Sequence, residues 1–81
     1  MMNLQVLFFG ISADLTKQTK ATFILSEGAS VLEFKNTLQQ QYPKLSQISS
    51  YSIAVNESYA TDEIILKEND TVAVIPPVSG G

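Results

Sequence analysis

Ser30-Val31-Leu32-Glu33-Phe34-Lys35-Asn36-Thr37-Leu38-Gln39-Gln40-Gln41-Tyr42-Pro43 is the stretch on which the reading of the fold turns. Ser30 followed three residues later by Glu33 forms a capping box. The serine hydroxyl can take an orphan amide of the first turn while the carboxylate reaches back to the cap. Val31, Phe34 and Leu38 recur at helical spacing, with Gln41 or Tyr42 next, so the apolar side chains fall in one stripe. Pro43 disfavours helical geometry at Tyr42 and predicts a helix end near Gln41.

Working outward towards the N-terminus, Ala21–Leu25 (ATFIL) reads as a strand stopped by Ser26-Glu27-Gly28. Phe23, Ile24 and Leu25 are all apolar, so its inward face stays open. Leu4–Phe9 (LQVLFF) is a second apolar, aromatic and β-branched run, closed by Gly10. Parity puts Leu4, Val6 and Phe8 on one face, with Leu7 and Phe9 on the other. The polar stretch Gly10–Lys20 makes the two strands a loose hairpin, with room for a helical turn at Ser12–Leu15.

Towards the C-terminus, Leu45 and Ile48 sit in a Ser-rich connection. Tyr51–Asn56 (YSIAVN) alternates as a strand and ends in a turn at Asn56-Glu57-Ser58. Tyr59 and Ile64–Leu66 predict a short edge segment, and Lys67–Asp70 a polar turn. Thr71–Ile75 (TVAVI) is the last strand, stopped by Pro76-Pro77. The order ββαββ, with one main helix, predicts an α+β domain in which the helix covers one face of a mixed four- to five-stranded sheet. That arrangement suits a β-grasp fold, with the first and last strands parallel at the centre. A central position accounts for their apolar character.

Composition narrows the function. The 81 residues carry five lysines, eight acids and a net charge of −3, with no cysteine, histidine or tryptophan. The length fits one small domain, in which folding hides a little over about 60% of the unfolded chain's surface. Zinc sites, thiol nucleophiles, disulfides and His-based acid–base catalysis have no residues to use. Without arginine, and with an isoelectric point near 4.6, no nucleic-acid partner is expected, because phosphate binding needs clustered cations. A partner with a basic face is expected instead. No paired carboxylates, metal site or Gly-rich phosphate loop is recognisable. No apolar run approaches a membrane span, and no leader pattern opens the chain, so a cytoplasmic protein that is not an enzyme on its own is expected.

Val78-Ser79-Gly80-Gly81 is the part that folding does not require. Residues 1–77 read as the domain and 78–81 as a flexible tail. Two of the four glycines are the last two residues, an arrangement that chance gives in roughly 0.5% of chains at average usage. Pro76-Pro77 stiffens the exit from the last strand. A Gly-Gly end lacks Cβ atoms and can enter a narrow channel, approaching phosphates closely. A carboxylate delivered this way becomes an acyl donor once adenylated. The plain alternative is a frayed terminus.

The whole chain resembles the ubiquitin-like sulfur carriers that form the small subunit of molybdopterin synthase. The matching residues are Val6-Leu7-Phe8-Phe9, Ala54-Val55-Asn56, Asp70-Thr71-Val72-Ala73 and, most specifically, Pro76-Pro77-Val78-Ser79-Gly80-Gly81. Asn69 departs from the glycine more common there, but Asn tolerates left-handed geometry. The resemblance implies that Gly81 is adenylated by a ubiquitin-activating-like enzyme, the molybdopterin-synthase adenylyltransferase, using ATP and Mg. A sulfur donor protein then makes the thiocarboxylate. The tail, Val78 to Gly81, enters the large subunit of the synthase and gives sulfur to cyclic pyranopterin monophosphate. No cofactor is bound by the carrier itself, and the family suggests a heterotetramer.

The resemblance also frames the remaining surface. If Val6, Phe8, Val72 and Val74 face the helix, then Leu7, Phe9, Ala73 and Ile75 form an apolar patch on the other face. With Pro76 and Pro77, this patch is the candidate partner-binding surface; the alternative is ordinary core under loops. The late acids Asp62, Glu63, Glu68 and Asp70 read as solvated turn residues or as a contact for a basic partner. Tyr42, Tyr51 and Tyr59 read as core-rim residues with wet hydroxyls. The competing functions are a sulfur carrier for thiamine, tRNA thiolation or cysteine synthesis, a lysine-conjugated modifier, and a non-covalent adaptor.

Overall fold

A computed structural model describes residues 1–48 and 50–77. In chain order its elements are β1 (Met2–Phe8), α1 (Ile11–Thr16), β2 (Lys20–Leu25), α2 (Val31–Gln41), a 3-10 turn (Pro43–Gln47), β3 (Ser52–Val55), β4 (Ser58–Ala60) and β5 (Thr71–Ile75). Among the described residues, five strands form one mixed sheet in the order β2-β1-β5-β3-β4. β1 and β5 run parallel, while the other neighbouring pairs are antiparallel. The expected β-grasp arrangement is present, with its two most apolar strands inside the sheet.

Helix α2 starts as its sequence dictates. The Glu33 amide donates to Ser30 Oγ at 3.3 Å, and the Ser30 amide donates to Glu33 Oε1 at 3.4 Å. Its end is at Gln41, where the Tyr42 amide still donates to the Leu38 carbonyl before Pro43 redirects the chain. Val31, Phe34 and Leu38 are fully buried against Leu4, Val6, Phe8, Val72, Val74 and Ile53 of the sheet. Each such side chain removed from water contributes about 1.5–3 kcal/mol, so this single layer is the principal source of stability.

The strand face left open by sequence is settled in β2. Phe23 and Leu25 point inward, and Ile24 is exposed. Phe23 packs its ring 5.4 Å from that of Phe34, centroid to centroid, which holds the strand to the helix. The expected turn at Ser12–Leu15 is longer, and α1 runs from Ile11 to Thr16.

One expectation is corrected. Ile64–Leu66 does not extend an edge strand; the edge is β4, which ends at Ala60. Ile65 makes an isolated antiparallel bridge to Ser30, while the Val31 amide donates to the Ile64 carbonyl and the Leu66 amide to that of Ala29. The entry to α2 has orphan amides of its own. Those donors capture the segment that an edge strand would otherwise have paired. Leu66 is thereby buried in the core.

Candidate functional site

Among the described residues, no helix packs on the sheet face away from α2. Because side chains alternate along a strand, the same residues that bury Val6, Val72 and Val74 turn Leu7, Ala73 and Ile75 outward. Phe9, just past β1, is 49% exposed. Together with Ala54, Asn56, Glu57, Tyr59 and Thr71 they line a groove of about 530 Å³. The four side chains singled out for partner binding therefore come together.

Both ends of the groove are built by specific contacts. At one end, Asn56 and Glu57 have φ of 50° and 74°, the pair of left-handed residues that a tight hairpin requires. Asn56 Nδ2 donates to Asp70 Oδ1 at 2.9 Å, and the Thr71 amide donates to Asn56 Oδ1 at 3.0 Å. The Lys67 amide donates to Asp70 Oδ2 at 2.8 Å. Asn69 takes the left-handed φ of 68° expected of it. These bonds lock the β3–β4 hairpin to the start of β5. Asp70 is thus a structural brace, whereas the sequence offered it as a solvated turn residue or a partner contact.

At the other end, Gly10 adopts φ 54° and ψ −135°. The Pro76 ring lies 3.6 Å from where a Cβ would stand on Gly10. Buried Ser12 donates its hydroxyl to the Phe9 carbonyl at 2.6 Å. The Phe9 amide in turn donates to the Val74 carbonyl at 3.3 Å. The exit of β5 is thereby tied to the end of β1. Pro76 is half-buried and Pro77 exposed; neither lines the groove. Val78, Ser79, Gly80 and Gly81 lie outside the described residues.

Five lining residues were not among the candidates. Alternation in Tyr51–Asn56 puts Ala54 and Asn56 on one face, but only pairing with β5 shows that this face is the open one. Tyr59 is a correction. It was expected at the core rim, yet it is 75% exposed and forms the outer wall of the groove. Its cross-strand neighbour is Ala54, on the face turned away from α2. Tyr42 and Tyr51 do sit at the rim, partly buried against the core.

The electrostatics are sparse. The ion pairs among the described residues are Met1 amino to Glu27 at 3.3 Å and Lys35 to Asp62 at 2.7 Å, neither at the groove. Glu57 is thus an unpaired anion on the groove's wall, judged among the described residues. Within those residues no group of three His, Cys, Asp or Glu could hold a metal, and no helix is long and apolar enough to cross a membrane.

The sequence profile of the ThiS family matches residues 6–81. The chain belongs to the ThiS family. A relative from Arabidopsis thaliana, a molybdopterin synthase sulfur carrier subunit, is 32% identical over 99% of this chain and 84% of its own length. SAMP1 from Haloferax volcanii superposes with a TM-score of 0.87 at 20% identity, covering 98% of this chain and 99% of that one. A chain of the protein–protein complex of subunit 1 and 2 of molybdopterin-converting factor from Helicobacter pylori superposes with a TM-score of 0.71 at 24% identity, covering 99% of this chain and 100% of that one. These structures establish the ubiquitin-like β-grasp fold, and the family with its named relative supports a sulfur-carrier role.

Proposed function

We propose that this ThiS-family protein is the sulfur carrier subunit of molybdopterin synthase. One observation carries the reading. β5 supplies Ala73 and Ile75 to the exposed apolar groove and runs directly into Pro76-Pro77 and the Gly-Gly terminus. A protein seated on the groove would lie beside the point from which the tail leaves. The groove then serves docking, and Gly81 serves chemistry. The names of the Arabidopsis relative and of the Helicobacter complex agree with a carrier that works with a partner subunit.

In the proposed cycle the Gly81 carboxylate attacks the α-phosphate of ATP, held with Mg in an activating enzyme, and pyrophosphate leaves. Sulfur at the oxidation level of sulfide, brought by a donor protein, displaces AMP and leaves a thiocarboxylate on Gly81. The carrier then docks on the large subunit, which supplies the catalytic residues; the sulfur bonds to carbon of cyclic pyranopterin monophosphate, and water cleaves the acyl–sulfur bond to return the Gly81 carboxylate. The carrier contributes a docking face and one reactive terminal group.

Intact mass after incubation with the activating enzyme, MgATP and the sulfur donor tests the chemistry. A gain equal to replacement of one oxygen by sulfur, mapped to Gly81, is expected. An unchanged mass with an enzyme that charges a control carrier overturns the reading. Deleting Gly80 and Gly81 should abolish that gain while leaving affinity for the large subunit within a few-fold of the intact chain.

A further inference from the structure

Four side chains stand in one row across the open face. Register places Leu7 of β1 beside Ala73 of β5, Ala73 beside Ala54 of β3, and Ala54 beside Tyr59 of β4. The row reads large, small, small, large. Strands lie about 4.8 Å apart, so Leu7 and Tyr59 stand roughly 14 Å apart at the backbone, with only two methyl groups between them. Ile75 and Phe9 close the row on the side of the β5 exit, and Thr71 with Asn56 closes the other.

The two alanines are not what strand stability asks for. Alanine is depleted in strands, where β-branched residues pack better. The inward positions of these two strands follow that preference, with Ile53, Val55, Val72 and Val74. Thr71 and Ile75 follow it on the outward face too, but Ala54 and Ala73, paired with each other at the middle of the sheet, do not. Ala54 is 5% exposed although it lies outside the helix-side core, which puts it at the bottom of the groove. Water over such a floor finds few polar partners, so an apolar group that displaces it gains free energy.

Charge gives the groove a direction. Lys20 of β2 is the cross-strand neighbour of Leu7, at one end of the row. Glu57, in the turn between β3 and β4, lies on the groove wall on the side away from β2. We propose that the Ala54–Ala73 floor is a socket for one projecting aliphatic side chain of the docking partner, which also carries a basic group facing Glu57. The inference rests on the docking reading above and adds to it the residues that select the partner. Small side chains make the hole, Leu7 and Tyr59 grip what enters, and the Lys20–Glu57 polarity fixes which way round the partner sits.

The test uses the full chain with the large synthase subunit of the same organism. In a complex with alanine methyls labelled, Ala54 and Ala73 should show intermolecular NOEs to aliphatic methyls of the partner. Ala73→Leu should keep the wild-type melting temperature but weaken binding by roughly 30-fold or more, as expected for filling a hot-spot pocket. Ala73→Val should fall between the two, and Glu57→Gln should weaken binding several-fold at low salt and little at high salt.

A complex that forms without those NOEs overturns the socket, as does a folded Ala73→Leu protein that binds like wild type. Should Ala73→Leu fail to fold, the NOEs on the unmodified chain decide alone. Phe9→Glu separates the two levels. If it abolishes binding while Ala73→Leu does not, the face docks but the socket is empty. If neither variant weakens binding, the docking reading falls with it.

Discussion

The two sides of β5 carry similar residues and meet opposite fates. Val72 and Val74 point into the layer under α2 and are fully buried. Ala73 and Ile75, on the same five-residue strand, turn outward and stay half-exposed. The hydrophobic effect does not distinguish them, since both faces would gain by leaving water. The difference lies in supply. Among the described residues α2 is the one long helix; it covers one face, and no second helix covers the other. Where the middle of the sheet is apolar on both faces but covered on one, the core is incomplete, and a partner can complete it.

That comparison can be broken most forcefully on the covered side. Phe34→Ala removes the largest fully buried side chain and should cost about 3–5 kcal/mol, measured by urea unfolding. A loss no greater than that of a surface substitution would mean that the helix side is not where stability resides. On the open side, Phe9→Glu should change stability by less than about 0.5 kcal/mol, because Phe9 is already half in water. Its affinity for the large subunit should nevertheless drop roughly 30-fold or more if it lies in a hot spot. Equal effects of both substitutions on stability would erase the distinction between the faces.

Two smaller changes sharpen it. Ser30→Ala removes the cap of α2 and should cost about 1 kcal/mol of stability without altering docking. This would show that the helix acts on the groove only by holding the sheet from behind. Lys35→Ala breaks the exposed pair with Asp62 and should cost about 0.5 kcal/mol or less, shrinking further as salt rises. Thermal melts at two ionic strengths check it.

Local signals were the most legible. The capping box at Ser30 and Glu33 formed as its spacing predicts, and Pro43 ended α2 where it had to. Leu7, Phe9, Ala73 and Ile75 could be placed on one face because parity within a strand is a property of the strand alone. Ile64–Leu66 departs from its local pattern for the converse reason. Its apolar run looks like an edge strand in isolation, but the competing partner, the amide-rich entry to α2, lies far away in sequence. Tyr59 departs similarly: an aromatic beside a turn is compatible with either face until its register against Ala54 is known. In β2, Phe23, Ile24 and Leu25 offered no alternation to read, and packing against Phe34 made the choice.

The sequence by itself determined most of the strands and where α2 begins and ends. These rest on interactions within a few residues, so local spacing suffices. Only the tertiary structure decided that Ala54 lies beside Ala73, that Tyr59 walls the groove, and that Asn56 and Asp70 brace its end. Strand register depends on which distant strands pair, and that is chosen by burial of the whole apolar set at once. A groove assembled from four strands exists only after that choice has been made.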